Sequence, residues 1–197
     1  VRTRRNASRT RSCYVRRMTI VVHHLETSRS HRVLWLFEEL ELAYELKTYA
    51  RDPKTMRSPK SACAIHPRGR FPMVEYEGHT LAESGAIIEE VLDDHPRLRP
   101  EPGTEAHRRY RYFLHYAEGS LMSPLLVALI TGQLRTKNVP FLVRPIARAI
   151  SKNIDAAFTT PELRAHVASL DSERADRPAF AADELAGADI PARHPPD

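Results

Sequence analysis

Between residues 19 and 94 the hydrophobic positions come in short runs whose period switches between two and about three and a half. A β-branched run at 19–23 predicts a strand. From 28 to 40, Val33, Leu34, Leu36, Phe37 and Leu40 keep helical spacing with Trp35 between them, which predicts a helix. Residues 44–49 alternate and predict a second strand. Residues 52–65 hold two prolines and read as an irregular loop with at most a short helix. Two further strands are predicted at 72–76 and 79–82, joined by a tight turn at Glu77-Gly78. Glu83 or Ser84 then caps a helix that runs to about Asp94.

Residues 95–103 contain Pro96, Pro100 and Pro102 and read as a linker. The pattern after it is helical. One long helix is predicted from 104 to about 133, bent near Pro124. A second runs from about 141 to 157, with Pro145 near its first turn. A third begins after Thr160, where Pro161 suits the first helical position, and ends near Arg174. Short strands followed by helices imply two subdomains. The fold class is α/β plus all-α: a thioredoxin-like βαβ-ββα domain over 18–94, then a helical domain over 104–197. In this arrangement the first two strands pair in parallel through the helix and the last two form a hairpin.

Composition adds little until charge is located. The chain is 42% hydrophobic and 28% charged, ordinary for a globular protein, and carries a net charge of +5. Residues 1–17 hold seven of its arginines and no acid, so the rest nets −2 and gives no reason to expect a nucleic-acid partner. The Arg/Ser/Thr-rich 1–17 stretch reads as a disordered tail, with Met18 as the natural start. Two cysteines, Cys13 and Cys63, form no CxxC and no metal-ligand spacing, so no metal is expected and a reducing cytoplasm is the default. The longest apolar stretch in the second half, 121–130, is interrupted by Ser123 and Pro124 and is too short to span a bilayer, so no membrane partner is expected.

Three places could carry chemistry. Ser28, with Ser30 as the fallback, stands where the first strand hands over to the first helix. Free amides and the helix dipole favour negative charge there, and a hydroxyl can hold a thiolate ionised; the same serine could simply cap the helix. Phe71-Pro72 opens the third strand. A cis bond would turn the Phe71 backbone outward to pair with an extended peptide, and a trans proline would merely open an edge strand. Glu83-Ser84 offers a carboxylate, a hydroxyl and helix N-terminal amides at one corner, suited to a ligand with both an ammonium and a carboxylate, or to a plain helix cap. Arg70 could add a cation for a second carboxylate. His23, His24 and His31 lie nearby, but no spacing makes them ligands, and adjacent His23 and His24 point to opposite faces of a strand.

The strand–Ser28–helix start, the His66-Pro67-Arg68-Gly69-Arg70-Phe71-Pro72 loop and the Leu81-Ala82-Glu83-Ser84-Gly85-Ala86-Ile87 corner resemble, in order, the N-terminal domain of the cytosolic glutathione S-transferase family, in its bacterial and fungal branch. The stretches 115–120, 144–147 and 177–181 look like that family's helical domain. The resemblance implies a homodimeric enzyme that activates the thiol of glutathione, as co-substrate, for attack on a small hydrophobic electrophile or for peroxide reduction. It implies that Ser28 hydrogen-bonds the thiolate, that Phe71 and cis-Pro72 pair with the cysteinyl unit, that Glu83 and Ser84 hold the γ-glutamyl end, and that Arg70 approaches the glycyl carboxylate. Tyr116 would line the electrophile pocket. With Ser28 and Ser30 at the helix start and no cysteine there, a glutaredoxin-like role is disfavoured.

The end of the sequence departs from that pattern. Residues 184–190 match the start of the family's buried central helix, but its usual Ser/Thr cap is Ala186, which forfeits about 1 kcal/mol. Three prolines follow between 191 and 196, which cannot continue a helix. The helical domain therefore reads as incomplete, through a frameshift or premature stop, with apolar faces of the 104–174 helices uncovered; a short variant that oligomerises is the alternative. Two other functional readings use the same residues: a non-catalytic interaction module of the same fold, and an inactive truncated gene product.

Overall fold

The structure, a computed structural model, describes residues 19–136, 139–175, 179–180 and 186–193. The Arg-rich stretch 1–17, the 181–185 segment and Pro195-Pro196 lie outside the described residues.

Four strands form one sheet: β1 (Ile20–Leu25), β2 (Tyr44–Tyr49), β3 (Met73–Tyr76) and β4 (His79–Ala82), in the order β2-β1-β3-β4. β1 and β2 run parallel through α1 (Ser30–Glu39), and β3 and β4 form an antiparallel hairpin. The hairpin closes on Glu77 and Gly78, both with positive φ, as a two-residue turn that matches strand twist requires. α2 (Ser84–Asp94) packs beside α1. Val22 of β1, Val33, Leu36 and Phe37 of α1, Val74 of β3 and Ile87, Ile88, Val91 and Leu92 of α2 are wholly buried and form the core between sheet and helices. This is the thioredoxin-like arrangement expected from the sequence.

The helical half differs from expectation where the second and third predicted helices meet. α3 (Glu105–Tyr116) and α4 (Met122–Leu134) form one continuous helix, joined through a π-turn at Ala117–Leu121. α5 (Arg144–Ile154) and α6 (Thr160–Arg174) are likewise one helix, joined by a second π-turn at Asp155–Thr159. The predicted break at Thr160 does not occur. A proline in a helix clashes with the carbonyl four residues back. For Pro161 that residue is Ala157, inside the π-turn, whose wider winding moves the carbonyl aside. By length and composition alone the Glu105–Leu134 helix could cross a membrane. Here Tyr110, Phe113, Leu114 and Ala117 are buried against the rest of the protein.

α7 (Asp189–Arg193) packs against α3 and α1. The cap lost at Ala186 is partly replaced by Asp189, whose carboxylate accepts the N–H groups of Ala186 at 2.9 Å and Phe180 at 2.8 Å. Gly187 sits so close to α2 that a Cβ would lie 2.4 Å from Leu92 Cδ1. Pro191 does not stop α7; it falls within its first turn, where no N–H is needed. Leu126, Leu129 and Ile130 on α4 and Ile146, Ile150 and Phe158 along the α5–α6 helix are exposed.

Candidate functional site

The sheet register gathers the candidate residues. His23 opposes Met73, and Met73 opposes Ala82. Residues 26–28, which follow β1, 71–72, which precede β3, and 83–84, which follow β4, therefore leave the sheet at one edge. That edge is also the carboxyl end of the parallel pair β1 and β2, where open α/β sheets bind ligands.

Phe71-Pro72 is cis. Pro72 is buried and Phe71 half-buried, its ring 5.1 Å from that of Tyr49. Tyr49 is in turn held by His23, whose Nδ1 lies 2.9 Å from the phenol oxygen and whose Nε2 lies 2.9 Å from Glu75. The loop before the strand needs glycine at position 69: its φ is +52°, and a Cβ would lie 2.8 Å from Cys63 Sγ.

Glu83 occupies the N-cap position of α2 with φ 72° and ψ 123°, a sparsely populated conformation that the surrounding structure must impose. Its side chain caps nothing. It is exposed and lies 3.3 Å from Arg68. Arg70 is exposed on the same loop, and Ser84 is buried in the first turn of α2. The helix-cap reading of Glu83 is thus absent, and its carboxylate stays at the surface of the corner.

The start of α1 is built differently from the sequence reading. The helix begins at Ser30, its N-cap position is taken by Arg29, and Ser28 lies in the preceding turn. Ser28 is half-buried, whereas Ser30 is wholly buried. The Ser28 hydroxyl donates to the Leu25 carbonyl at 2.7 Å and lies 2.7 Å from Ser30 Oγ. Its oxygen accepts the Ser30 N–H at 3.3 Å. Ser30 Oγ accepts the Leu25 N–H at 3.2 Å and sits 2.8 Å from His24 Nδ1. Burial lowers the pKa of His24, neighbouring His31 pushes the same way, and Glu26 opposes both.

Several contributors escaped the sequence reading. Arg51 holds the 26–27 turn from outside, donating to the carbonyls of Glu26 at 3.2 Å and Thr27 at 2.6 Å. From the helical half, Glu118 pairs with both Arg29 and Arg32 of the α1 start. Arg32 is only 2% exposed, and burial pulls its pKa down while Glu118 pulls it back up. These partners are 86 and 89 residues apart in sequence, and no local pattern links them. Tyr116 is mostly buried, stacked on Tyr112, with its hydroxyl 2.5 Å from His166 of α6.

An open cleft of ≈ 430 Å³ lies on the helical half at the second π-turn, lined by Arg135, Lys152, Asp155, Thr160 and Arg164 among others. It shares no residue with the corner.

Comparisons with known proteins agree on one family. A model of the family "Glutathione S-transferase, N-terminal domain" matches residues 18–91. "Glutathione S-transferase 1" of Saccharomyces cerevisiae is 33% identical over 180 residues, covering 87% of this chain and 76% of that protein. "Glutathione S-transferase 3" of Schizosaccharomyces pombe is 32% identical over 172 residues, covering 86% and 70%. Among solved structures, a glutathione S-transferase from Actinobacillus pleuropneumoniae superposes with a TM-score of 0.68 at 28% identity, covering 88% of this chain and 74% of that one. A sphingomonad glutathione S-transferase complexed with glutathione shares the fold at a TM-score of 0.63 and 19% identity, covering 87% and 78%.

Proposed function

Since the chain belongs to the glutathione S-transferase family and is a glutathione transferase, we propose that the corner at 28, 70–72 and 83–84 grips the tripeptide and that Ser28 ionises its thiol. The observation that carries this reading is the half-buried Ser28 hydroxyl at the sheet edge that also bears cis-Pro72 and the Glu83-Ser84 turn.

The Phe71 backbone, at the start of the antiparallel hairpin, suits strand-like pairing with the cysteinyl unit. Ser84 and the first amides of α2 suit the α-carboxylate of the γ-glutamyl end, and the exposed Glu83 suits its ammonium. Arg70 approaches the glycyl carboxylate, and Arg68, beside Glu83, is a second cation available to the ligand. With the cysteinyl sulfur near Ser28, the hydroxyl turns from the Leu25 carbonyl to the sulfur and stabilises the thiolate. The thiol proton leaves to solvent, and the thiolate attacks the electrophilic carbon of a small hydrophobic substrate, forming the sulfur–carbon bond as the bond to the leaving group breaks; with an aryl halide, halide departs to solvent with the electron pair. Tyr116 and its neighbours on α3 form one wall of the electrophile pocket.

The enzyme acts as a homodimer in a reducing cytoplasm. The exposed apolar side chains of α4 and α5 support cover by a second copy, and the free, exposed Cys63 thiol suits that compartment. Sedimentation of a well-folded sample tests the dimer.

Ser28→Ala tests the central claim. Losing one hydrogen bond to a charged group costs about 1.5–3 kcal/mol, so kcat/KM toward an activated aryl halide should fall roughly ten- to a hundredfold. The double change Glu83→Ala with Ser84→Ala should abolish retention on immobilised glutathione. A folded double variant that is retained like the parent would overturn the assignment of the γ-glutamyl site.

A further inference from the structure

A hydroxyl can stabilise a thiolate only while its proton points at the sulfur. Each serine hydroxyl has one proton and two acceptor sites, so the hydrogen bonds around Ser28 and Ser30 can be followed to their source. Ser30 Oγ already accepts the Leu25 N–H, leaving one acceptor site and one proton for Ser28 Oγ, 2.7 Å away, and His24 Nδ1, 2.8 Å away. The Leu25 carbonyl, at 3.2 Å, is the more distant competitor for that proton.

Two arrangements follow. If His24 Nδ1 accepts, the Ser30 proton goes to the imidazole, and the Ser28 proton is drawn inward to the vacant site on Ser30. If His24 Nδ1 carries a hydrogen and donates, both acceptor sites on Ser30 are filled and its proton goes to Ser28. Ser28 then accepts from the Ser30 hydroxyl and the Ser30 N–H. With both of its acceptor sites used, Ser28 can only donate, to the Leu25 carbonyl or to a sulfur that displaces it.

We propose that His24 is a positioning residue for thiol activation, donating from Nδ1 to Ser30 and so holding the Ser28 proton outward. The proposal rests on Ser28 as the thiol-activating group. His24 lies on β1, 8% exposed, and takes no part in binding the tripeptide in the scheme above. Its titratable neighbours are His31, whose ring packs edge-on at 4.7 Å, and Glu26. Its pKa is lowered by burial, which favours the neutral ring, and a neutral ring that donates from Nδ1 is the Nδ1–H tautomer, so the relay needs no buried positive charge.

The test is the titration of bound glutathione, followed by ultraviolet thiolate absorbance, with glutathione Kd measured in parallel. His24→Phe keeps a ring of similar size and removes the donor. It should move the thiol midpoint upward by about one pH unit, with a matching roughly tenfold loss of kcat/KM below that midpoint, while Kd stays within about twofold. His24→Asn places an amide donor where Nδ1 stood and should recover most of the shift. Ser30→Ala removes the inward acceptor together with the relay, so His24→Phe should add nothing in that background, and His24→Leu, which also removes the donor, keeps the test available if His24→Phe does not fold. In a Ser28→Ala background, His24→Phe should add nothing. An unmoved midpoint in a folded His24→Phe or His24→Leu, alongside a shifted one in Ser28→Ala, overturns the role of His24. So does a His24→Phe effect that persists without Ser28. An unmoved midpoint in Ser28→Ala overturns instead the serine reading on which the proposal stands.

Discussion

The π-turn at Ala117–Leu121 and the one at Asp155–Thr159 share a backbone form and a placement ahead of a proline. In each, the residue four before a downstream proline, Ser120 before Pro124 and Ala157 before Pro161, lies within the widened turn. Each also turns an acid toward an arginine. The first aims Glu118 across the domain boundary at Arg29 and the buried Arg32, beneath the turn that carries Ser28. The second aims Asp155 at Arg135 and at Thr131 Oγ1, 2.7 Å away, on the neighbouring helix of the same half. One device thus serves two ends: it couples the helical half to the start of α1 in one place and closes a helix pair in the other. What separates them is burial, since Arg32 is 2% exposed and Arg135 48%.

Burial sets the sizes of the effects that would break the comparison. Glu118→Ala removes the carboxylate from a buried guanidinium, a loss that typically costs about 3–5 kcal/mol. Denaturant titration should show it. Because α1 then loses its anchor, glutathione affinity should fall as well, although Glu118 is not among the residues proposed to hold the tripeptide. A stability loss below about 1 kcal/mol would mean that the first turn is no more consequential than a surface pair.

Asp155→Ala should be milder. It removes the hydrogen bond from Thr131, worth about 1 kcal/mol, and a half-exposed ion pair worth a few tenths to about 1 kcal/mol. Glutathione affinity should not change, because α4 and α6 lie away from the corner. A variant that binds glutathione more weakly would show that the second turn also reaches the site.

The sequence carried the local signals well and the distant ones not at all. β2 at Tyr44–Tyr49, β4 at His79–Ala82 and the end of α2 at Asp94 fall where alternation, turn residues and helical spacing put them, since each signal lies within a few neighbours. The candidate serine, Phe71-Pro72 and the Glu-Ser corner stand out for the same reason, since each sits at the junction of two elements already recognised, whereas the cis form of Phe71-Pro72 is not written in the local pattern. The start of α1 was displaced by two residues because Ser28 turns back to the Leu25 carbonyl instead of capping. The α5–α6 helix was split because Pro161 is a good first-turn residue, and nothing in a one-dimensional pattern distinguishes that from a proline tolerated behind a π-turn. Glu118, Arg32 and His24 stayed hidden because their significance lies in partners brought close by tertiary packing.

The finest test asks which force maintains each turn, the proline or the ion pair. Pro124→Ala and Pro161→Ala each restore an amide and remove the clash that favours the wider winding. Replacing proline also frees the unfolded chain, so either change should shift stability by only about 0.4–1 kcal/mol. The structural outcomes should nonetheless diverge. Relaxing the first turn to regular α-helix would swing Glu118 through part of a turn and strip the buried Arg32 of its carboxylate, which costs more than one regular hydrogen bond returns. The 117–121 turn should therefore persist in Pro124→Ala. At 155–159 the interactions at stake are a half-exposed pair and one hydroxyl contact, comparable to the bond regained, so Pro161→Ala should let the helix relax and separate Asp155 from Thr131 Oγ1. Crystal structures of the two variants would decide it: a first turn that relaxes, or a second that holds unchanged, would mean that burial of the paired arginine is not what distinguishes them.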